Sequence, residues 1–203
     1  MKRAALILAG ALLCLYWWMA TSVSDTQCTT GDEIAHLTAG YSYWKLDDYR
    51  LQPENGNLPQ RWAALPLIHR DLKFPTLDQN AWRISDVWDL GFQWFYECGN
   101  DLAAMLRAGR MMIALFGVAT GARVFLWGRR LFGNMGGLLA AGRFSFSPTM
   151  LANGALITSD MTATLMFLAA VTAFSLIRAP KVTVTEADEA DEADRAALLV
   201  PTV

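Results

Sequence analysis

The stretch AALILAGALLCLYWWMATSVS, residues 4–24, decides the fold class of this chain. It contains no charged residue, and a helix of that length is enough to cross a hydrocarbon core about 30 Å thick. A basic start precedes it, so a cleaved signal peptide is the alternative, although the core of a signal peptide has only about 7–15 apolar residues. Tyr16, Trp17 and Trp18 are typical of an aromatic belt at a membrane interface. We therefore expect an uncleaved first span.

The rest of the chain is also apolar, since 54% of its 203 residues are hydrophobic. This composition disfavours soluble, disordered and nucleic-acid-binding proteins, so we expect the lipid bilayer and no nucleic acid as a partner. Residues 131–177 contain only two charges, Arg143 and Asp160, over about twice the length that one helix needs. We predict an all-α integral membrane protein with four transmembrane helices. The expected spans are 4–24, 104–128, 131–150 and 161–178.

Basic residues indicate the orientation of these spans. Lys2–Arg3, Arg129–Arg130 and Arg178–Lys181 lie at alternate connections, which four spans place on one side. By the positive-inside rule that side is cytoplasmic. We expect a multi-pass protein of the inner (plasma) membrane with both termini cytoplasmic. The outer loop, residues 25–101, and the turn that ends at Asp160 then share the extracytoplasmic face.

The outer loop contains too many charged and aromatic residues for a flexible linker. It contains twelve acidic residues, six basic residues and five of the eight tryptophans. Loops of this length within a compact domain are usually functional. Residues Gln60–Arg70 read as a short amphipathic segment that lies in the membrane interface.

The tail differs sharply from the preceding apolar segment. EADEADEAD, residues 186–194, is a low-complexity repeat without an apolar face. We therefore divide the chain into a membrane module, 1–178, and an acidic, disordered, cytoplasmic tail, 179–203.

Cysteines flank the outer loop at both ends. Cys28 and Cys98 would face an oxidising compartment, where a disulfide across the base of the loop is one of two open alternatives and free thiols are the other.

Three titratable residues follow the first span closely. Asp32 and Glu33 are adjacent on a predicted helix and do not share a face, so a proton-sharing pair is disfavoured. Glu33 and His36 are spaced i, i+3 and do share a face, which suits a hydrogen bond or a divalent metal. The sequence leaves metal dependence open.

A single carboxylate, Asp160, interrupts the last apolar region. An acidic residue at membrane depth is a candidate functional group. Because Thr158 and Ser159 precede it, the alternative is a helix-capping role at the start of the fourth span. Both roles are compatible.

The segment DDYRLQPENGNLPQR, residues 47–61, supplies basic side chains to the outer face. Arg50 and Arg61 are suited to hold a phosphate through charge-assisted hydrogen bonds. The alternative is that both pair with neighbouring acidic residues.

Several of these segments together resemble the GT-C superfamily of membrane glycosyltransferases, in particular the family 39 branch of protein O-mannosyltransferases and aminoarabinose transferases. The resemblance implies inverting transfer of a sugar from a polyprenyl-phosphate donor on the extracytoplasmic face. It implies Asp32 as general base with Glu33 beside it, Asp160 as the second carboxylate, and His36, Arg50, Glu54 and Arg61 as substrate contacts. The residues that carry the resemblance are Asp32-Glu33 with His36 and Gly40, DYRLQPE at 48–54, Arg110, RRLFG at 129–133 and SPTMLANGALITSD at 147–160.

Members of this superfamily have more spans than this chain. We therefore expect the N-terminal part of such an enzyme, a fragment completed by further helices from a continuation or from a second chain. The alternative is a non-catalytic membrane protein that binds lipid-linked sugar or a partner membrane protein.

Overall fold

The computed structural model of the protein describes residues 2–23 and 26–178. Within these residues all regular structure is helical, which confirms the expected all-α class. The predicted tail, 179–203, lies outside the described residues. The chain divides into two compact units, Met1–Ala170 and Val171–Val203, and the candidate site lies in the first. The helices are α1 (Lys2–Ser22), α2 (Gly31–Lys45), α3 (Asn57–Ala64), α4 (Asn80–Arg83), α5 (Val87–Phe92), α6 (Leu102–Ser145), α7 (Pro148–Asn153) and α8 (Asp160–Arg178).

Two helices in the described part of the chain are long and apolar enough to cross a membrane, Arg3–Ser22 and Leu102–Ser145. A third apolar helix, Asp160–Ser175, is shorter. The expected membrane character is therefore supported, whereas the predicted count of four spans is not confirmed.

Helix α6 turns back on itself near its middle. Phe132 and Gly133 have non-helical backbone angles, and Gly133 lies at φ 71° and ψ −172°, a region that is accessible almost only to glycine. The two arms, 102–131 and 134–145, run antiparallel, because a Cβ on Gly128 would lie 3.0 Å from the Cβ of Ala140. The sequence predicted a reversal at Arg129–Arg130, a few residues earlier.

The second arm is shorter than the span predicted for 131–150. Its helix ends at Ser145, and at about 1.5 Å per residue it is roughly 18 Å long, which is less than a hydrocarbon core of about 30 Å. Phe146 ends the helix, and Ser147 with extended backbone angles precedes Pro148 at the start of α7. The residue before a proline is biased away from the helical region, which explains this break.

Helix α1 packs antiparallel to the first arm of α6. Near its start Ala9 clusters with Phe125, and near its end Ala20 and Tyr16 cluster with Ala114. The indole N–H of Trp17 donates to the carbonyl of Met111 at 3.4 Å. Near its C-terminal end α1 is therefore tied to α6 at residue 111.

The segment between α1 and α6 forms a core of its own. Trp94 is fully buried, and its ring centroid lies 4.7 Å from that of Tyr41 and 5.6 Å from that of Phe74. Aromatic pairs of this kind add about 0.5–1.5 kcal/mol beyond the burial of their area. This aromatic cluster holds α2 in place and with it the charged residues at its N-terminus.

The predicted amphipathic segment Gln60–Arg70 is helical over its first half only. Helix α3 ends at Ala64, and a single 3₁₀ turn, Leu65–Leu67, follows. The indole N–H of Trp62 donates to the carbonyl of Met112 at 2.7 Å. Helix α3 therefore contacts α6 at the residue that follows Met111, the partner of Trp17.

Candidate functional site

A buried ion pair joins α2 to α6. Glu33 and Arg110 have side chains that are 0% and 1% exposed. The guanidinium donates from Nε to Oε1 at 2.7 Å and from Nη2 to Oε2 at 2.6 Å, which is the bidentate geometry that arginine and carboxylate favour. We call this contact the Glu33–Arg110 pair.

Both partners of the pair are further satisfied by the backbone. The N–H of Thr30 donates to Oε2 of Glu33 at 2.9 Å, and the N–H of Ile157 donates to Oε1 at 3.2 Å. Arg110 donates to the carbonyls of Gln27 and Cys28 at 3.3 and 2.9 Å. The pair therefore ties together the segment after α1, the start of α2, α6 and the loop before α8.

The charge state of Glu33 follows from these contacts. Burial raises the pKa of its carboxyl, but the hydrogen bonds from Arg110, Thr30 and Ile157 and the positive charge of Arg110 more than offset this effect, so the pKa is lowered overall. Glu33 is thus an ionised acceptor whose four contacts are all within the protein. It was predicted as a catalytic residue beside Asp32, and the structure places it in this pair.

Arg110 formed part of the family resemblance, and its pairing with Glu33 was not predicted from the sequence. The signal was present, because an arginine at the start of a long apolar segment needs a compensating charge. Which of the twelve acidic residues of the outer loop would provide it depends on tertiary packing, and spacing alone does not reveal that.

One turn beyond this pair, His36 occupies a buried position. Its side chain is 4% exposed, and Nδ1 has no hydrogen-bond partner in the described part of the protein. Burial lowers the pKa of the imidazole, and the negative charges of Asp32, Asp160 and Glu54 partly oppose that shift. His36 is therefore neutral at pH 7, and three carboxylates lie close enough to act on it electrostatically.

This grouping brings together four of the predicted site residues. Asp32 is exposed at the start of α2, and within residues 2–23 and 26–178 its carboxylate has no hydrogen bond or ion pair. Glu54 is exposed in the loop before α3. Asp160 is exposed at the start of α8 and accepts a hydrogen bond from the hydroxyl of Thr158 at 3.2 Å.

Asp160 was also considered as a helix cap. The residue before it, Ser159, accepts the N–H of Ala163 through its carbonyl, so Asp160 is the first residue of α8. A carboxylate in the first turn interacts favourably with the helix dipole. One oxygen of this carboxylate accepts the hydroxyl of Thr158, and the side chain as a whole is exposed.

The two predicted arginines lie apart from this carboxylate group. Arg50 forms an ion pair with Asp48, at 2.7 Å from Nη2 to Oδ2, and its guanidinium carbon lies 4.9 Å from the ring centroid of Trp82. The pairing lowers the pKa of Asp48. For Arg50 the alternative weighed from the sequence, pairing with a neighbouring acid, is therefore confirmed.

Arg61 has an aromatic environment instead. Its guanidinium carbon lies 4.0 Å from the ring centroid of Trp44, and Nη1 donates to the hydroxyl of Tyr49 at 2.6 Å. Within the described residues it has no carboxylate partner. Arg61 therefore has hydrogen-bond donors that no carboxylate among the described residues accepts.

Metal and disulfide chemistry were both left open by the sequence. Among the described residues no group of three or more His, Cys, Asp or Glu side chains is arranged to hold a metal ion. Cys28 and Cys98 are free thiols in this structure, and the disulfide between them stays a prediction.

The comparisons with known proteins agree with the resemblance seen in the sequence. The model of the family described as dolichyl-phosphate-mannose-protein mannosyltransferase matches residues 90–183, which is 94 of the 203 residues. The matched range includes Arg110 and Asp160 but not α2. No curated protein and no solved structure matches the chain. The match confirms the resemblance to GT-C membrane glycosyltransferases and is consistent with a partial protein of this type.

Proposed function

We propose that this chain is the N-terminal part of a glycosyltransferase that transfers a sugar from a polyprenyl-phosphate donor to an acceptor on the extracytoplasmic face of the membrane. The observation that carries the proposal is that Glu33 joins the start of α2, where Asp32 lies, to α6 through Arg110 and to the loop that leads to Asp160 through the N–H of Ile157. The family match supports the reaction class, since its range contains Asp160 and the Arg110 that anchors α2.

In the proposed reaction, Asp32 acts as the general base. The hydroxyl oxygen of the acceptor attacks the anomeric carbon, and its proton passes to the Asp32 carboxylate. The bond from the anomeric carbon to the phosphate oxygen breaks, and its electron pair leaves with the polyprenyl phosphate. Attack opposite the leaving group inverts the anomeric configuration. Asp32 suits this role because it is exposed and has no partner among the described residues.

The other residues around Asp32 have supporting roles in this proposal. Asp160 is the second carboxylate in this proposal, whereas a substrate contact by His36 stays a prediction, since its Nδ1 is buried. Glu33 is already bonded to Arg110 and two backbone N–H groups, so we assign it the task of fixing Asp32 beside it. Substrate contacts by Glu54, Arg50 and Arg61 stay predictions, and the proposed step does not depend on them.

We further propose the four-span arrangement in the inner membrane, with both termini cytoplasmic and the outer loop outside. The reversal of α6 at Gly133 supports it, because it returns the chain towards the side where α1 ends. Helices from a continuation or from a second chain complete the donor site.

The test is transfer by the full chain in membranes of the cells that produce it, supplied with radiolabelled mannose on a polyprenyl phosphate. Loss of a general base typically costs about 10²–10⁴-fold in rate, so Asp32→Asn is expected to lower transfer by at least 100-fold without weakening donor binding. Asp78→Asn, an exposed acid elsewhere in the outer loop, is the control. Donor binding without turnover, unchanged in Asp32→Asn, would instead identify a non-catalytic protein that binds lipid-linked sugar.

A further inference from the structure

The outward face of α3 combines a cation with apolar side chains. Leu58, Arg61 and Leu65 follow one another at spacings of three and four residues, and Trp62 lies four residues after Leu58, so these side chains share one side of α3 and the turn that follows it. Leu58 is 49% exposed, and Trp44, packed against Arg61, is 39% exposed. A surface that combines exposed apolar groups with a basic residue is typical of segments that lie in a membrane interface.

The hydrogen bonds of two tryptophans indicate the level of this face relative to the membrane. Trp17 donates to the carbonyl of Met111 and Trp62 donates to the carbonyl of Met112, so α1 and α3 meet α6 at the same level. Trp17 belongs to the predicted aromatic belt near the outer end of α1. From Met111 to the reversal at Gly133, α6 has about the length that one crossing of the membrane needs. Within the proposed topology, α3 therefore lies at the outer headgroup level.

Neighbouring aromatic residues fix the guanidinium of Arg61 at this level. Trp44 covers one face of its guanidinium at 4.0 Å, and the indole N–H of Trp44 donates to the carbonyl of Arg61 at 2.9 Å. Tyr49 accepts a hydrogen bond from Nη1 at 2.6 Å. The side chain thus has little freedom left to lose on binding an anion, which favours affinity.

A cavity of about 330 Å³ lies beside this guanidinium. Its lining contains the amide of Asn57 and no acidic residue. The apolar remainder of the lining suits the glycerol and upper acyl region of a lipid. The residues that line it are Trp44, Asn57, Leu58, Arg61, Trp62 and Leu65.

We propose that Arg61 and its aromatic neighbours bind the headgroup phosphate of a bilayer phospholipid of the outer leaflet and so dock the outer loop on the membrane. Arginine is suited to phosphate because its planar fork donates two parallel hydrogen bonds. Arg61 packs on Trp44 near the C-terminal end of α2, whereas Asp32 lies at the start of that helix, about 18 Å away along its axis, so this site lies apart from the proposed general base. The inference rests on the proposed membrane orientation and not on sugar transfer.

The test is native mass spectrometry of the detergent-solubilised full chain, titrated with a short-chain phosphatidylglycerol or with the diacylglycerol of the same chains. The expected result is binding of the phosphate-bearing lipid only, weakened about tenfold, or about 1.4 kcal/mol, in Arg61→Gln. Arg61→Lys keeps the charge but loses the planar fork and should bind with intermediate affinity. Arg83→Gln, an exposed arginine on α4, is the matched control and should bind as the wild type does.

Three outcomes would overturn the proposal: equal binding of the two lipids, equal binding by Arg61→Gln, or binding of a polyprenyl phosphate at this site while phosphatidylglycerol is ignored. The last result would assign the site to the donor. A melting measurement on each variant identifies loss of folding, and Arg61→Lys then carries the test. Because no step requires turnover, a chain inactive in sugar transfer can still pass it.

Discussion

Removal of Arg110 is the perturbation that most directly tests how the site is held. Arg110→Met would remove both hydrogen bonds to Glu33 and the two to the carbonyls of Gln27 and Cys28. A buried carboxylate would be left with only two backbone N–H donors. Breaking a buried pair from one side typically costs about 3–5 kcal/mol, and we expect a loss in this range.

A double-mutant cycle separates the pair from its surroundings. Glu33→Gln removes the negative charge with little change of shape, and in Glu33→Gln/Arg110→Met neither buried charge remains. The double variant should be more stable than the sum of the single losses predicts, with a coupling of about 2–3 kcal/mol. The exposed pair of Asp48 and Arg50 is the control, and its coupling should be below about 1 kcal/mol.

The assay is unfolding in mixed micelles, followed by tryptophan fluorescence while the fraction of denaturing detergent is raised. A loss below 1 kcal/mol in Arg110→Met, or a coupling no larger than that of the exposed pair, would refute the reasoning. Acid supplies a second check. The folded-state pKa of Glu33 lies below its ordinary value of 4.5, so its contribution is present above that value and is lost as the pH falls through the folded-state pKa. Glu33→Gln should lack this acid-sensitive part.

Three further predictions concern single positions. Gly133→Ala should destabilise the protein by about 1–3 kcal/mol in the same assay, because φ 71° and ψ −172° are strained for alanine; Gly142→Ala, where a Cβ meets nothing, should be neutral or slightly stabilising. In Gly40→Ala the new Cβ would overlap a backbone carbonyl of α3, so a loss of about 1–3 kcal/mol is expected, and an unchanged midpoint would contradict the close packing of α2 and α3. Burial lowers the pKa of His36, so the unfolded chain takes up a proton first as the pH falls below 6.5. Stability should therefore drop as the pH falls through 6.5 towards the lowered folded-state pKa of His36, less so in His36→Gln, whereas the exposed His69→Gln should follow the wild type.

Much of the fold could be predicted because it depends on local patterns. The uncharged run at residues 4–24 predicted α1, and the basic pair at Arg129–Arg130 located the reversal of α6 to within a few residues. The reversal itself occurs at Gly133, since only glycine readily adopts the required backbone angles. The second arm ends at Ser145, five residues before the end predicted for this span, because Pro148 restricts the backbone of the residue before it.

The site was predictable only in part, for a related reason. Asp32, His36 and Asp160 were selected from charge and spacing and Glu54 from the family resemblance, and their roles in the site stay predictions. For Arg50 the sequence left two partners open, a substrate phosphate and a neighbouring carboxylate. Asp48 is only two residues away, and this spacing does not show which partner Arg50 binds. The pairing of Arg110 with Glu33 was not predicted, because it depends on the packing of elements that are distant in the sequence.

The partners of Glu33 also impose an order on biosynthesis. Arg110 follows it by 77 positions and Ile157 by 124. At about 5–20 residues per second, Arg110 is synthesised about 4–15 s after Glu33, and Ile157 later still. During that interval the carboxylate has only its local backbone contact with Thr30. Within the proposed topology, the start of the outer loop is therefore fixed only after the second span has been inserted. A ribosome that stalls within this window would leave a chain whose loop is open to proteases and chaperones.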